Sequence, residues 1–263
     1  MIIILVALIV IGGILLLLYM LNQAFLNKVK EQDIYFPDFP ATFGEVKIFF
    51  ISDIHRRTIS ETIINNVKGK ADIVIIGGDL TEKGVPLVRV KTNLNALKQI
   101  GPVYFVWGNN DYEVDYHELD AALMDHGVKV LDNTSVTFES NQGEKLCLLG
   151  VDDLNQNRDR LELALLDAEE DSFKILASHY PNITNKILPE HEIRLVLSGH
   201  THGGQIHILG YSPYKRGRLI RLQNTTLLIS NGYGTTTLPL RLGAPAECHL
   251  ITLKNGPAPD KVM

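Results

Sequence analysis

Cysteine is scarce in this chain: Cys147 and Cys248 are the only two among 263 residues. Two isolated thiols make no disulfide framework. Each sits in an apolar run, KLCLLGV and AECHLITL, and reads as a small buried hydrophobe. An excess of positive charge is also missing. Lys and Arg number 25 against 30 Asp and Glu, a net charge of -5. No global basic field therefore steers the chain to a phosphate backbone, and no nucleic-acid partner is expected. Small phosphorylated ligands are not excluded, because bound metal reverses the sign locally. Internal repeats and low-complexity tracts are absent. What is left is a globular composition, 45% hydrophobic and 21% charged, with enough chain for one sizeable core.

Charge is missing altogether from the start of the chain. From Ile2 to Leu21 every residue is uncharged, and most are Ile, Leu or Val. Twenty residues at 1.5 Å rise span about 30 Å, the thickness of a bilayer core. A cleaved signal peptide would need a basic start and a small-x-small cleavage site. Neither is present, and the nearest candidate, Asn22-Gln23-Ala24, begins with the wrong residue. A core helix apolar on every face would need protein all round it. Residues 1–27 are therefore expected to be a transmembrane anchor of a single-pass protein of the cell membrane, with the bilayer as a partner. Lys28 and Lys30 follow the segment, interleaved with Glu31 and Asp33. The positive-inside rule then leans towards a cytoplasmic catalytic side.

Residues 28–45 read as a linker or an edge strand, broken by Pro37, Pro40 and Gly44, with Phe36, Phe39 and Phe43 to dock it. From 46 to 263 a single domain is expected. Predominantly apolar runs predict buried strands at 46–51, 72–76 and 103–107, with helices over 59–68, 87–97 and 116–126 between and after them. Strands alternating with helices indicate parallel β-α-β units. Further strands are expected at 128–131, 136–139, 146–151, 173–177 and 193–197, with a helix around Leu161, Leu165 and Leu166. The tail from 205 to 254 has short runs split by Gly, Pro and Asn, and is expected to be mostly antiparallel. The whole predicts an α/β protein of two packed sheets flanked by helices.

Metal-type side chains fall at the ends of those strands. Asp53 and His55 follow the first, Asp79 the second, and Asn109 and Asp111 the third. His179 follows a later strand, and His200 and His202 follow another. In open α/β sheets ligands bind at the carboxyl ends of the strands. Each motif alone has an ordinary reading: a loop, a helix-capping Asp, an Asx turn, a core histidine. Gly199-His200-Thr201-His202-Gly203-Gly204 is the sharpest, with two imidazoles two residues apart among glycines that allow a tight turn.

The series Asp53-x-His55, Gly78-Asp79, Gly108-Asn109-x-Asp111, His179 and Gly199-His200-x-His202 resembles the signature of calcineurin-like metallophosphoesterases. The likeness runs from about Ser52 to His202, and the tail through Pro245 is similar to the bacterial membrane-associated branch. The resemblance implies a four-layer sandwich of two mixed β-sheets flanked by helices. It also implies two divalent metal ions: one held by Asp53, His55, Asp79 and His202, the other by Asp79, Asn109, His179 and His200. The family favours manganese, and the mixed donor set also fits iron or zinc. Two cations about 3.5–4 Å apart clamp the attacking and leaving oxygens, and a bridging hydroxide is the nucleophile. The implied reaction is hydrolysis of a phosphomonoester, phosphodiester or pyrophosphate bond. With the anchor, the expected substrate is an envelope or lipid-linked phosphodiester or pyrophosphate. A non-catalytic metal-binding scaffold on the same fold is the alternative.

Asn110 departs from the pattern, which usually has His there. Asn can donate a hydrogen bond to a phosphate oxygen, but it cannot deliver a proton near pH 7. The expectation is a substrate with a good leaving group, such as a phosphate. Asp111 is expected to orient a neighbour or pin the loop. Arg56 and Arg57 could bind phosphate or serve as loop charges and ion pairs. Lys215, Arg216, Arg218 and Arg221 could grip an anionic headgroup or surface or form a solvated strand face. By resemblance alone, Tyr180, Tyr233 and Arg241 border the site.

Overall fold

The computed structural model describes residues 1–257, so the last six residues of the domain expected over 46–263 lie outside the described residues. The elements run α1 (Ile2–Ala24), β1 (Val29–Phe36), β2 (Glu45–Ile51), α2 (Glu61–Val67), β3 (Ile73–Gly77), α3 (Leu87–Leu97), β4 (Val103–Val106) and α4 (Tyr116–Asp125). They continue with β5 (Lys129–Val130), β6 (Thr134–Glu139), β7 (Lys145–Gly150), α5 (Leu161–Leu166), β8 (Ser172–Ala177), β9 (Ile193–Ser198), β10 (Leu219–Arg221), β11 (Thr226–Ile229) and β12 (Cys248–Asn255).

Two six-stranded sheets result, in the orders β1-β12-β2-β3-β4-β5 and β10-β11-β9-β8-β7-β6. The strand pattern explains how they stack. In β2, Ile48 and Phe50 point to one side and Phe49 and Ile51 to the other, and both sides are buried. Ile48, Phe50, Ile75 and Val106 of the first sheet meet Leu148, Ile175, Leu197 and Leu228 of the second. Phe49, Ile51, Val74 and Phe105 instead pack under Ile63, Leu94 and Leu123 of α2, α3 and α4. Leu149, Leu176 and Val196 pack on the outer side of the second sheet with Leu161 and Ala164 of α5. The layers are helix, sheet, sheet, helix, as expected. Cys147 and Cys248 are free and buried.

Residues 29–36 form an edge strand, parallel to β12. Phe36 and Phe39 each meet Phe173 edge-on, with ring centres 5.1 Å apart. The tail is mixed rather than mostly antiparallel: β10–β11 and β12–β2 are antiparallel, but β11–β9 and β12–β1 are parallel. Short apolar runs fix burial, not the direction of the neighbouring strand. α1 is 23 residues long, about 35 Å. It is long and apolar enough to cross a membrane, and none of its most apolar window is buried against the domain. Its C-terminal end is attached: the Arg241 amide donates to Met20 O at 3.1 Å and the Ala246 amide to Gln23 O at 3.1 Å.

Candidate metal centre

β2, β3 and β4 are parallel neighbours in the first sheet, and β8 and β9 in the second. Their carboxyl ends meet at one edge of the sandwich. Five of the seven expected ligands there have left-handed backbones: Asp53 (φ 54°), His55 (51°), Asp79 (53°), His200 (67°) and His202 (49°). Each such residue costs on the order of 1 kcal/mol or more. The turns are thus strained in order to aim these side chains inwards. Glycines make room beside them. A Cβ on Gly78 would come within 2.6 Å of His179 Nδ1, and one on Gly232 within 2.7 Å of Asp53 Cβ, and both have positive φ.

One ligand atom each from Asp53, His55 and His202, and from Asp53, Asp79 and His179, lies within 4.8 Å of the others. All five side chains are buried. Asp79 Oδ2 is 3.2 Å from His179 Nε2 and 3.7 Å from His55 Nε2, so it faces both histidines. Asp53 Oδ1 is 3.4 Å from His202 Nε2. His55 Nε2 and His202 Nε2 approach to 3.1 Å, and His200 Nδ1 and His179 Nε2 to 3.3 Å. Asn109 lies at the same edge, where its Oδ1 accepts from Tyr180 Oη at 3.0 Å and its amide donates to Asn110 Oδ1 at 3.0 Å.

The groups behind these side chains fix their orientation. His179 Nδ1 meets Gly77 O at 2.8 Å, where a ring N–H must donate, so in the neutral ring it is Nε2 that presents its lone pair inwards. Asp53 accepts from Ser52 Oγ at 2.6 Å and from the His200 amide at 3.0 Å. Asp79 Oδ1 accepts from the Asn110 amide at 2.8 Å. Asp111 is wholly buried and takes the amides of Asp79 (2.8 Å), Gly108 (2.9 Å) and Thr81 (3.0 Å). It pins the β3 and β4 loops to one another. Burial, then the charge of Asp79, pushes its carboxyl up to about 7.

Charge in the cluster is strongly coupled. Burial alone would lower His55, but Glu82, Asp79 and Asp53 outweigh it and raise the ring. His179 is likewise raised against its burial, by Asp79 above all. Burial and then the neighbouring imidazole push His200 down to about 4 and hold His202 well below the usual range. A divalent cation would reverse the balance by favouring neutral rings and ionised carboxylates. The donors fit such cations: imidazole nitrogens that face one another at 3.1 and 3.3 Å converge with the carboxylates of Asp53 and Asp79, a mixed donor set that suits divalent metal.

Several residues in the surroundings were not legible as part of a site. Glu82 Oε2 lies 3.0 Å from His55 Nδ1, off the line of a good hydrogen bond. It lies on the far side of the His55 ring from His202, where a carboxylate would orient the imidazole if Nε2 held a metal. Asp153 is buried with Oδ2 unpaired. It follows β7, beside β8, so the strand-end rule that picked out Asp79 applies to it too.

Arg56 is exposed and paired with Glu82. Arg57 faces away from the cluster and caps α1. Its Nη1 donates to Ala24 O (3.3 Å), Leu26 O (3.2 Å) and Tyr233 O (2.6 Å), and its Nη2 to Phe25 O (3.3 Å) and Asn27 Oδ1 (2.9 Å). Tyr180 stacks near His200, with ring centres 3.8 Å apart. Tyr233 is buried under Arg57. Arg241 is buried and donates to the carbonyls of His202, Asn231, Gly232, Gly234 and Ala244. Its Nη2 also lies 3.2 Å from His202 Nδ1. A cation on Nε2 would place the ring proton on Nδ1, so that one contact would open while the carbonyls kept the arginine in place.

Two stacked mixed sheets with His, Asp and Asn side chains gathered at their strand ends define a metal-dependent hydrolase. Residues 46–204 match the family model of the calcineurin-like phosphoesterases. The chain belongs to that family and is a metal-dependent phosphoesterase. It is 47% identical over 208 residues to the protein YpbG of Bacillus subtilis strain 168, across 78% of this chain and 80% of that one. It is 30% identical over 244 residues to a transmembrane protein with metallophosphoesterase domain of Bos taurus, across 83% of this chain and 55% of that one. The solved 5'-nucleotidase precursor of Thermus thermophilus shares the fold, with a TM-score of 0.52 at 13% identity over 79% of this chain and 55% of that one.

Proposed function

We propose that the chain is a membrane-anchored hydrolase acting on a phosphodiester or pyrophosphate bond of an envelope or lipid-linked substrate. Asp53, His55, Asp79 and His202 are assigned to one divalent cation and Asp79, Asn109, His179 and His200 to a second, with manganese the first choice. When bound, such a pair supplies Lewis-acid charge and an activated water. The protein's own part is to hold the donors in strained turns, to orient each ring from behind, and to pin the loops through Asp111. Asn110 is assigned a hydrogen bond to a phosphate oxygen, without protonating the leaving group.

The observation that carries the membrane substrate is the join between α1 and the ligand loops. Arg57, two residues from His55, binds the carbonyls of Ala24, Phe25 and Leu26 where α1 ends. A cavity of about 610 Å³ lies at that join, lined by Phe25, Arg56, Arg57, Tyr233, Thr235 and Pro239. A substrate held in the bilayer would thus present its head close to the loop that carries His55, where the exposed Arg56 would exchange its Glu82 partner for the phosphate. The lysines after α1 support a cytoplasmic catalytic side.

The test uses the full chain in detergent, stripped with chelator and reloaded with Mn²⁺. Turnover of bis-p-nitrophenyl phosphate and p-nitrophenyl phosphate is compared with that of lipid-linked pyrophosphates. Metal-dependent cleavage that Asp79→Asn abolishes, and that favours the diester or the pyrophosphate, supports the reading. Equal turnover by Asp79→Asn would end it.

A further inference from the structure

Between the His202 turn and β10 the chain makes a narrow hairpin. Ile208 and Tyr211 exchange backbone hydrogen bonds at 2.9 Å in both directions, and Leu209 (φ 51°) and Gly210 (φ 85°) form the two-residue turn. Turns with positive φ at both central positions favour Asn-Gly. Leu there is strained, and Leu209 is also fully exposed, at 104%. Ile208 (69%), Tyr211 (80%) and Tyr214 (49%) are exposed around it. A lone exposed Leu is ordinary. A strained Leu at the tip of an apolar cluster is a disfavoured arrangement in water and calls for an apolar medium to enter.

The hairpin stands beside the end of α1. Gln205 donates to Thr236 O and Leu238 O, each at 3.2 Å. His207 N donates to Leu242 O at 2.8 Å, and Arg241 N to Met20 O at 3.1 Å. The tip, the exposed Leu238 (56%) and the last turns of α1 are thus joined through one short segment. Behind the tip, Lys215, Arg216 and Arg218 line a cavity of about 350 Å³ with His207 and Ser212, and Arg221 follows. All four cations are exposed. Among the described residues none has a carboxylate within 4.0 Å, in a chain whose net charge is -5. Apolar and aromatic residues flanked by unpaired cations match the boundary layer of an anionic bilayer.

We infer that residues 206–218 form a second membrane contact, in which the Ile208–Tyr211 tip enters the headgroup layer of the leaflet reached by α1 and the basic residues hold anionic lipid phosphates. The inference rests on the reading of α1 as a membrane span. Its consequence concerns the metal centre. His207 Nε2 meets Gly203 O at 2.7 Å and Ser212 Oγ donates to Gly204 O at 3.0 Å, so the contact fixes the His202 turn against the bilayer surface.

The experiment places an environment-sensitive fluorophore on Leu209→Cys, and separately on Ile9→Cys within α1, in the full chain. Cys147 and Cys248 are buried and stay unlabelled. The protein is reconstituted in vesicles of phosphatidylcholine, with or without phosphatidylglycerol, that carry a nitroxide lipid quencher. The inference expects quenching at position 209 that strengthens with phosphatidylglycerol, and that Lys215→Glu with Arg216→Glu and added salt reverse. Quenching at position 9 with a water-exposed probe at 209 overturns the inference and leaves the span intact. No quenching at either position overturns both. A probe at 209 already shielded in detergent by a second copy of the chain also overturns it. Leu209→Asn relieves the turn and is expected to keep or raise the unfolding temperature in detergent. The same variant should weaken the phosphatidylglycerol dependence of vesicle association by severalfold, which separates insertion from folding.

Discussion

The guanidinium of Arg57 lies 3.6 Å from the centre of the Tyr233 ring, and the two residues together join α1 to the metal edge. Tyr233 N donates to Ser52 O at 2.9 Å and Gly234 N to Asp53 O, so the segment that carries this ring also supports the β2 ligand loop. Arg57 adds hydrogen bonds to the carbonyls of Ala24, the last residue of α1, and of Phe25 and Leu26 just after it, where a helix end leaves carbonyls without partners. Burial holds its pKa below the usual value for Arg, and the carbonyls take the place of a carboxylate.

Arg57→Ala is expected to destabilise the chain by about 2–4 kcal/mol, through lost charge-assisted hydrogen bonds and a lost cation–π contact. Arg57→Lys should recover little of this, because an ammonium cannot reproduce the fork. Thermal unfolding in detergent and hydrogen exchange of amides 25–28 read the effect. Unchanged exchange in Arg57→Ala would sink the capping role.

Glu82→Gln tests the carboxylate behind His55. The ring would lose the group that orients it and makes it more basic, so metal affinity should fall by about 10–100-fold. Activity at low Mn²⁺ should drop and return at high Mn²⁺, with the fold unchanged by circular dichroism. A wild-type metal titration curve would show that Glu82 serves only Arg56.

Much of the fold was legible because buried strands announce themselves. Ile48 to Ile51 and Ile73 to Ile76 are continuous apolar runs, and both faces of each strand are covered. The candidate ligands were legible because a strand end in an α/β sheet is where a ligand side chain belongs. What escaped depends on closeness in space. Nothing in the sequence places Glu82 against His55, or turns Arg57 from the phosphate side to the end of α1. The left-handed backbones at Asp53, His55, Asp79, His200 and His202 are invisible for the same reason: strain belongs to the folded loop, not to the residue type. The parallel partners of β11 and β12 escaped because apolar spacing carries no strand direction.

His249 gives a pH prediction away from the cluster. It is buried, with Nδ1 accepting from the Gln32 amide at 3.0 Å and Nε2 facing Ser230 Oγ at 3.1 Å. Glu247 lies 3.5 Å away, but Lys30 is 2.5 Å from its other oxygen. Burial, and then Lys30, hold the ring down to about 3. The unfolded chain protonates this His near pH 6.5 while the folded chain refuses the proton. Its stabilising contribution is therefore complete above about 6.5 and declines as pH falls towards 3, by up to about 1.4 kcal/mol per pH unit. His249→Gln should flatten the slope by that amount over pH 4–6, measured by denaturant unfolding in chelator so that metal loss does not contribute. Parallel slopes for the two proteins would contradict it.

Asn110→His tests the leaving group. Asn110 sits in the turn after β4, with its amide N–H on Asp79 Oδ1 at 2.8 Å and its side chain donating to Glu113 Oε1 at 2.9 Å. The backbone contact does not depend on the side chain, so the turn should survive the change. A histidine there titrates near neutral pH, with Glu113 in reach to favour its charged form. It would supply the proton that the native amide cannot. Hydrolysis of a dialkyl phosphodiester, whose leaving group needs that proton, should rise about tenfold or more. Bis-p-nitrophenyl phosphate and pyrophosphates, whose leaving groups depart as anions, should change little. The dialkyl rate should also fall at alkaline pH as the new imidazolium loses its proton, a limb absent from the native profile. If the ratio of alkyl to pyrophosphate turnover stays fixed, position 110 does not select the leaving group.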